Sequence, residues 1–212
     1  MEMRMIIWAL FFANVPGVVG QIDMNGKAFA FYESFADYVQ LIPAKTFFTE
    51  FTICVKTCKN LTQNTMEVGL GTGHDYFGVS VCPDPKKPVG SNVYIHYKGS
   101  GEAFDLAAAI TWIDICVTFD FSNGKLVLLI GGNKCKSLQL GGTKQTSVRS
   151  APVIIRRTKY GQANTNVAQI TAVNMWSLAL SVRDIQRFRE QREGGDIINW
   201  GALVIHLTTL SL

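Results

Sequence analysis

The stretch Ile113-Asp114-Ile115-Cys116-Val117-Thr118-Phe119-Asp120-Phe121-Ser122-Asn123-Gly124-Lys125-Leu126-Val127-Leu128-Leu129-Ile130 decides the fold. Ile113 to Phe121 reads as a strand, rich in β-branched and aromatic residues. Ser122-Asn123-Gly124 supplies a hairpin turn, since Asn-Gly tolerates the positive φ that tight hairpins require. Leu126 to Ile130 forms a second, buried strand that ends at Gly131-Gly132. Similar segments recur on both sides. Phe29, Phe31 and Tyr38-Val39-Gln40-Leu41 predict an opening pair of strands. Phe51 to Thr57 alternates at period two, with Phe51, Ile53 and Val55 on one face. Tyr76 to Val81 and Val93 to Tyr97 follow, separated by a Pro/Lys/Gly loop, and Val153 to Ile155 and Val173 to Leu180 complete the series. Short strands at this spacing predict an all-β fold, a two-sheet antiparallel β-sandwich.

One helix is expected near the C-terminus. Ser181 can cap it, and Asp184 stands three residues on, as in a capping box. Ile185 and Phe188 share a face, while Arg183, Arg187, Arg189, Glu190, Arg192 and Glu193 point elsewhere, and Gly194-Gly195 is expected to stop the helix. The arginines are either a solvated face or a surface for an anionic partner.

The 212 residues carry 20 Lys plus Arg against 16 Asp plus Glu, a net charge of +4, and 48% are hydrophobic. That content excludes a disordered chain. The charge is too slight to argue for nucleic acid, and no dense basic run strengthens it.

Ile6 to Ala13 is an apolar run behind Arg4, followed by Asn14, Pro16, Gly17 and the small residues before Gln21. This is the layout of a secretory signal peptide over residues 1–20, leaving one domain over 21–212. A membrane span needs about 20 consecutive apolar residues, and the run is interrupted well before that. Secretion favours disulfides over metal thiolates for Cys54, Cys58, Cys82, Cys116 and Cys135. Five cysteines leave at least one thiol free or paired between chains. Cys58 lies on the same side of its strand as Cys54, and its pairing with Cys82 or Cys135 stays open beside a free thiol. Asn60-Leu61-Thr62 is the only N-glycosylation sequon.

The residues argue against catalysis. A sandwich-fold glycosidase needs paired carboxylates, and no closely spaced acidic pair lies on a strand face. No Gly-x-Ser-x-Gly occurs, and only His74, His96 and His206 could serve a nucleophile as base.

Several segments, in collinear order, resemble the pentraxin family. They are Gln21-Ile22-Asp23-Met24 with Lys27-Ala28-Phe29, Tyr38-Val39-x-Leu41, Phe51-Thr52-Ile53-Cys54, Val173-Asn174-Met175-Trp176, Leu180-Ser181 and Ile198-Asn199-Trp200-x-Ala202-Leu203. Asp114-Ile115-Cys116-Val117-Thr118-Phe119 falls where the family signature reads His-x-Cys-x-Ser/Thr-Trp, with Asp114 and Phe119 in place of the His and Trp. The resemblance implies a lectin-like jelly roll, a Cys54–Cys116 disulfide and a cyclic homo-oligomer, usually a pentamer. It implies a secreted innate-immunity (acute-phase) protein that binds phosphocholine or carbohydrate through calcium on one face. Complement or Fc receptors would be engaged through the helix-bearing face.

Calcium takes six to eight oxygen ligands, largely carboxylate and amide. The family's ligand positions fall on Asp75-Tyr76, on Thr158-Lys159-Tyr160 and on Asn164. Asp75, Asn164 and the Lys159 backbone carbonyl are thus the metal candidates, and so poor a set predicts weak or absent calcium binding. Glu102 aligns with the carboxylate that meets the choline ammonium, and Val81 with the apolar wall beneath its methyl groups. A structural or assembly subunit that keeps the fold without binding small ligands is the alternative. N-terminal sequencing of the secreted protein is expected to show Gln21 or its pyroglutamate, and retention of Met1 would refute the leader.

Overall fold

The computed structural model describes residues 19–31, 38–45, 47–58, 64–70, 76–83, 91–97, 100–106, 112–139, 148–149, 153–159 and 168–206. The early strands are β1 (Val19–Ile22), β2 (Phe29–Phe31), β3 (Tyr38–Leu41), β4 (Phe47–Phe48), β5 (Glu50–Cys58) and β6 (Asn64–Leu70). Next come β7 (Phe77–Pro83), β8 (Ser91–Tyr97), β9 (Ser100–Leu106), β10 (Trp112–Asp120), β11 (Lys125–Ile130) and β12 (Asn133–Gln139). The last are β13 (Val148–Arg149), β14 (Val153–Lys159), β15 (Ala168–Trp176) and β16 (Leu203–His206), with helix α1 (Val182–Gln191) and a 3-10 turn (Trp200–Ala202) between the final two. An eight-stranded sheet runs β1-β16-β3-β14-β6-β7-β8-β9, a six-stranded sheet β12-β11-β10-β5-β15-β2, and β13 pairs with β4. The expected sandwich is present.

Alternation builds the core. Phe51 and Phe119 point inward from the six-stranded sheet, and Phe77 and Tyr97 meet them from the eight-stranded one. Phe51 and Phe77 lie edge to face at 5.0 Å, as do Tyr97 and Phe119 at 5.0 Å. Burying each such ring contributes about 1.5–3 kcal/mol. The β10–β11 hairpin is wider than Asn-Gly alone suggests. Asp120 pairs with Lys125, so four residues form the loop, and only Gly124, at φ 64°, has a positive φ. Phe121 is drawn into the core, and the Asp120 carboxylate accepts from Ser122 N (2.9 Å), Ser122 Oγ (2.6 Å) and Asn123 Nδ2 (2.7 Å).

Cys116 stands directly opposite Cys54 in the β10–β5 ladder, and the two are bonded. Closing 62 residues is worth about 4 kcal/mol in the chain-entropy model. Both cysteines face outward, where Ile185 of α1 packs on them together with Leu129 and Trp176. The Ser181 hydroxyl caps the helix by accepting from Asp184 N at 3.2 Å. The helix ends before the glycines: Arg192 takes the left-handed conformation at φ 55° and its N–H bonds back to Arg189 and Phe188 carbonyls.

The strand expected to reach Leu180 stops at Trp176. Leu180 N donates to Thr52 Oγ1 (2.9 Å), and Ser177 N and Oγ donate to Asp196 (2.8 and 2.5 Å), so the chain leaves the ladder towards the helix. Cys135 is an exposed free thiol on β12, which excludes its pairing with Cys58; the side chains of Cys58 and Cys82 lie outside the described residues.

Partial burial pushes the Asp196 carboxyl up, but the Ser177 hydrogen bonds and the Lys45 ammonium at 3.2 Å outweigh it and hold the carboxyl below its usual range. A depressed folded value means that the carboxylate's stabilisation is present above the unfolded pKa of about 4 and is lost as pH falls through the folded one. Asp196→Asn is therefore expected to lower the urea midpoint at neutral pH, with the gap to the parent narrowing as the medium is acidified. A gap independent of pH would contradict the pairing.

Candidate functional site

Inward positions of the eight-stranded sheet are spent on the core, so its chemistry lies on the alternate, outward ones. The ladder aligns Glu67 with Ser80, Ser80 with Tyr94, and Tyr94 with Ala103 across β6 to β9. The next outward row aligns Gly69, Gly78, His96 and Gly101. Two adjacent glycines leave a floor without side chains, and the Tyr76 ring lies on it. A Cβ at Gly69 or Gly78 would come within 3 Å of that ring. From this position the Tyr76 hydroxyl donates to Oε1 of Glu67, a carboxylate only 8% exposed. Ser80 Oγ and His96 Nε2 are hydrogen-bonded at 3.2 Å, and His96 lies nearly parallel to Tyr94, with ring centres 6.1 Å apart. His96 leans over Gly101, where a Cβ would sit 3.2 Å from Nδ1.

The cluster therefore offers a carboxylate, a hydroxyl, an imidazole and two half-exposed phenol rings on one sheet face. The half-exposed rings of Tyr76 and Tyr94 suit a quaternary ammonium, and the half-exposed His96 imidazole suits a polyol or phosphate oxygen, while the buried Glu67 and Ser80 hold Tyr76 and His96 in place. A Ser–His pair also raises the question of hydrolysis, but Ser80 is 3% exposed, and Glu67, the row's carboxylate, is engaged by Tyr76.

Of the ligand and metal candidates expected from the sequence, only Val81, Glu102 and the backbone of Lys159 fall among the described residues. Asp75, Asn164, Asn60 and Tyr160 lie outside the described residues. Lys159 ends β14, its backbone opposite Asn64 of β6, and its side chain is likewise outside them. Val81 is 3% exposed and faces the core, aligned with Val93, so it offers no surface to a ligand on the outward face. Glu102 is aligned with inward-facing Ile95 and sits at the rim of β9, on the opposite side of the sheet from Ser80 and His96. Its carboxylate meets the Lys136 ammonium of β12 at 3.4 Å, and the same ammonium lies 5.1 Å above the Phe104 ring. Glu102 thus already holds a cation, supplied by the other sheet. Among the described residues, no three His, Cys, Asp or Glu side chains converge as a metal site.

Sequence reasoning missed Glu67, Ser80 and Tyr94. Their signal was parity: each sits one residue from a buried valine or isoleucine on its own strand.

The second outward face, that of the six-stranded sheet, carries a long groove beside α1, with a volume of about 1130 Å³. Its floor includes Lys56, Asp114 and the 54–116 disulfide, and Arg189 spans to Asp114 at 2.6 Å. At its edge β15 bulges between Thr171 and Asn174, with Ala172 at φ 52°.

Comparison with known proteins agrees with this architecture. The model of the Pentaxin family matches residues 27–209. Mucosal pentraxin of Rattus norvegicus is 27% identical over 210 residues, covering 94% of this chain and 92% of its own. Serum amyloid P-component of Cavia porcellus is 26% identical, with coverage of 94% and 92%. The native heptameric SAP-like pentraxin of Limulus polyphemus superposes with a TM-score of 0.65 at 11% identity, over 84% of this chain and 91% of that one, a likeness of fold. With the family model spanning nearly all of the described sandwich, from Lys27 through α1 to β16, the chain belongs to the Pentaxin family.

Proposed function

We propose that this chain is a secreted, non-enzymatic recognition protein of innate immunity that takes phosphocholine or carbohydrate-type ligands on the outward face of its eight-stranded sheet, with calcium contributing little. The observation that carries this reading is the glycine-floored cluster in which half-exposed Tyr76, Tyr94 and His96 are held on one sheet face, Tyr76 by buried Glu67 and His96 by buried Ser80. It supplies hydrogen bonds and aromatic faces without a metal. The calcium reading rests on Asp75, Asn164 and the Lys159 carbonyl, a set with one carboxylate where a strong site uses several. Removal of residues 1–20 would leave Gln21 and Ile22 paired with Val204 and Leu203, so β1 survives as a shortened strand. A cyclic oligomer is part of the proposal, as is engagement of complement or Fc receptors through the helix-bearing face.

One observation favours the second reading, a subunit that keeps the fold without small ligands: both cation-binding features are filled from within. Tyr76 covers the glycine floor, and Lys136 occupies Glu102 and Phe104. Retention on phosphocholine and on galactan resins, with calcium and with chelator, separates the two. Retention that survives the chelator and is lost in His96→Ala supports the outward-face site, whereas no retention under either condition supports the subunit reading.

Calorimetric titration is expected to give calcium dissociation constants of about millimolar or weaker, typical of weak sites. A micromolar constant that disappears in Asp75→Ala would overturn the expectation.

A further inference from the structure

Resting on the proposal that the outward face of the eight-stranded sheet takes the ligand, we infer that it reads the interior of an uncharged polysaccharide chain laid across the strands. Tyr38 is then a second subsite, remote from Tyr94 and His96. Tyr38 enters by register. Val39 and Leu41 pack on the core, so Tyr38 of β3 faces outward and is 40% exposed. From it one ladder row runs through Arg156, Glu67 and Ser80 to Tyr94, across β3, β14, β6, β7 and β8. Tyrosines thus stand at both ends of a single row. Four strand steps separate them, about 19 Å along the sheet. Tyr76 lies between. Its Cε1 edge is over Gly78 and its Cε2 edge over Gly69, each 2.7 Å from where a Cβ would stand, and its hydroxyl reaches Glu67 in the row. The ring therefore lies flat along the two strands, with one face on the glycines and the other turned outward.

Ring placement and charge together select the occupant. A trimethylammonium group is held best inside a cage of rings, whereas these rings are spread along a row and Tyr76 offers one flat face. A flat, equatorially substituted sugar ring has an apolar C–H face to lay on each such platform, and a chain brings several at once. The neighbours stay low: Tyr94 is opposed by Ala103 and His96 by Gly101 on β9, and His96 by Gly78 on β7. Nothing tall interrupts the path from Tyr76 to the β9 edge. The row's two full charges, Arg156 and Glu67, are of opposite sign at directly opposed positions, where such pairs attract. The adjoining row, from Gln40 through Gly69, Gly78 and His96 to Gly101, contains no Asp, Glu, Lys or Arg. The two rows are thus neutral in sum, which favours an uncharged chain over a polyanion. His96 supplies a hydrogen bond for the sugar hydroxyls between platforms.

The test titrates the secreted protein, in chelator, with cellobiose, cellohexaose and phosphocholine. Cellohexaose is expected to bind more tightly than cellobiose, because only the longer chain engages Tyr38 and Tyr94 together, and linked contacts reinforce one another. Tyr38→Ala should lower cellohexaose affinity about two- to tenfold, the worth of one aromatic contact, without lowering that for cellobiose. Comparing the two lengths within one variant separates lost recognition from lost folding, and Tyr38→Phe, which keeps the ring, should recover the loss. Phe47→Ala removes an exposed ring of the separate β4–β13 pair and should alter neither titration. Equal affinity for the two lengths overturns the inference, as does a Tyr38→Ala loss that is the same for both. Tighter binding of a proline-rich peptide that depends on Tyr38 also overturns it, in favour of a peptide face. Phosphocholine binding that is lost in Tyr94→Ala, with cellohexaose ignored, removes the chain and leaves the ligand face standing. No binding of any of them removes the ligand face as well.

Discussion

The Cys54–Cys116 bond joins two directly opposed positions of neighbouring central strands, β5 and β10, on the side turned away from the core. Much of the six-stranded half is organised around it. A helix of 10 residues is marginal by itself in water, and α1 holds because Ile185 is completely buried on the disulfide, Leu129 and Trp176, with Phe188 stacked on Trp176 at 5.6 Å. That seating sets where the last helical turn projects. Arg189 can reach Asp114 on β10 only because the helix is anchored one turn earlier. The groove is therefore a by-product of how a small helix was fastened to a flat sheet face.

The central strands were legible because burial of one face forces alternation. Phe51-x-Ile53-x-Val55 and Ile113-x-Ile115-x-Val117 advertise the core, and each is found there. Edges carry no such mark. β12 is exposed at nearly every position, Asn133-Lys134-Cys135-Lys136-Ser137, and its lysines suit an edge that must not pair with another chain. Nothing apolar recurs along it, so the sequence offered no strand to see. The helix's end was misplaced for a different reason. Gly194-Gly195 is the stronger stop signal by propensity, yet Arg192 adopts the left-handed cap; a Cβ at Gly195 would collide with the Met175 carbonyl, so close packing against β15 accounts for glycine there.

The site was less legible than the fold, and the cause is again periodicity. A one-residue error in strand alignment moves a side chain from one sheet face to the other. Val81 and Ser80 differ by that single step, and one is core while the other is hydrogen-bonded to His96. Glu102 and Gly101 differ likewise: the glycine lies beneath His96, and the glutamate turns to the rim and Lys136. Neither the Tyr76–Glu67 contact nor the floor under Tyr76 has a local signature, because both depend on β6 and β7 being brought side by side.

The chemistry of the outward cluster also bears on assembly. Hydrogen bonds to neutral groups contribute about 0.5–1.5 kcal/mol each, net of water, and an exposed aromatic contact with a cation about 0.5–1 kcal/mol. Recognition through one hydrogen bond of His96 and the ring of Tyr94 therefore lies at about 1–2.5 kcal/mol, weaker than a millimolar affinity. A calcium ion coordinated by protein and ligand oxygens would raise that figure, and the proposed reading, in which calcium contributes little, requires an offset elsewhere. In the proposed ring, several copies of the sheet face would provide the offset, since linked sites raise avidity by about 10²–10⁴ without any new contact when geometry lets them engage together. On that reasoning a metal-poor recognition face is useful only on repeated surfaces such as membranes or polysaccharides, where many weak sites can be occupied together.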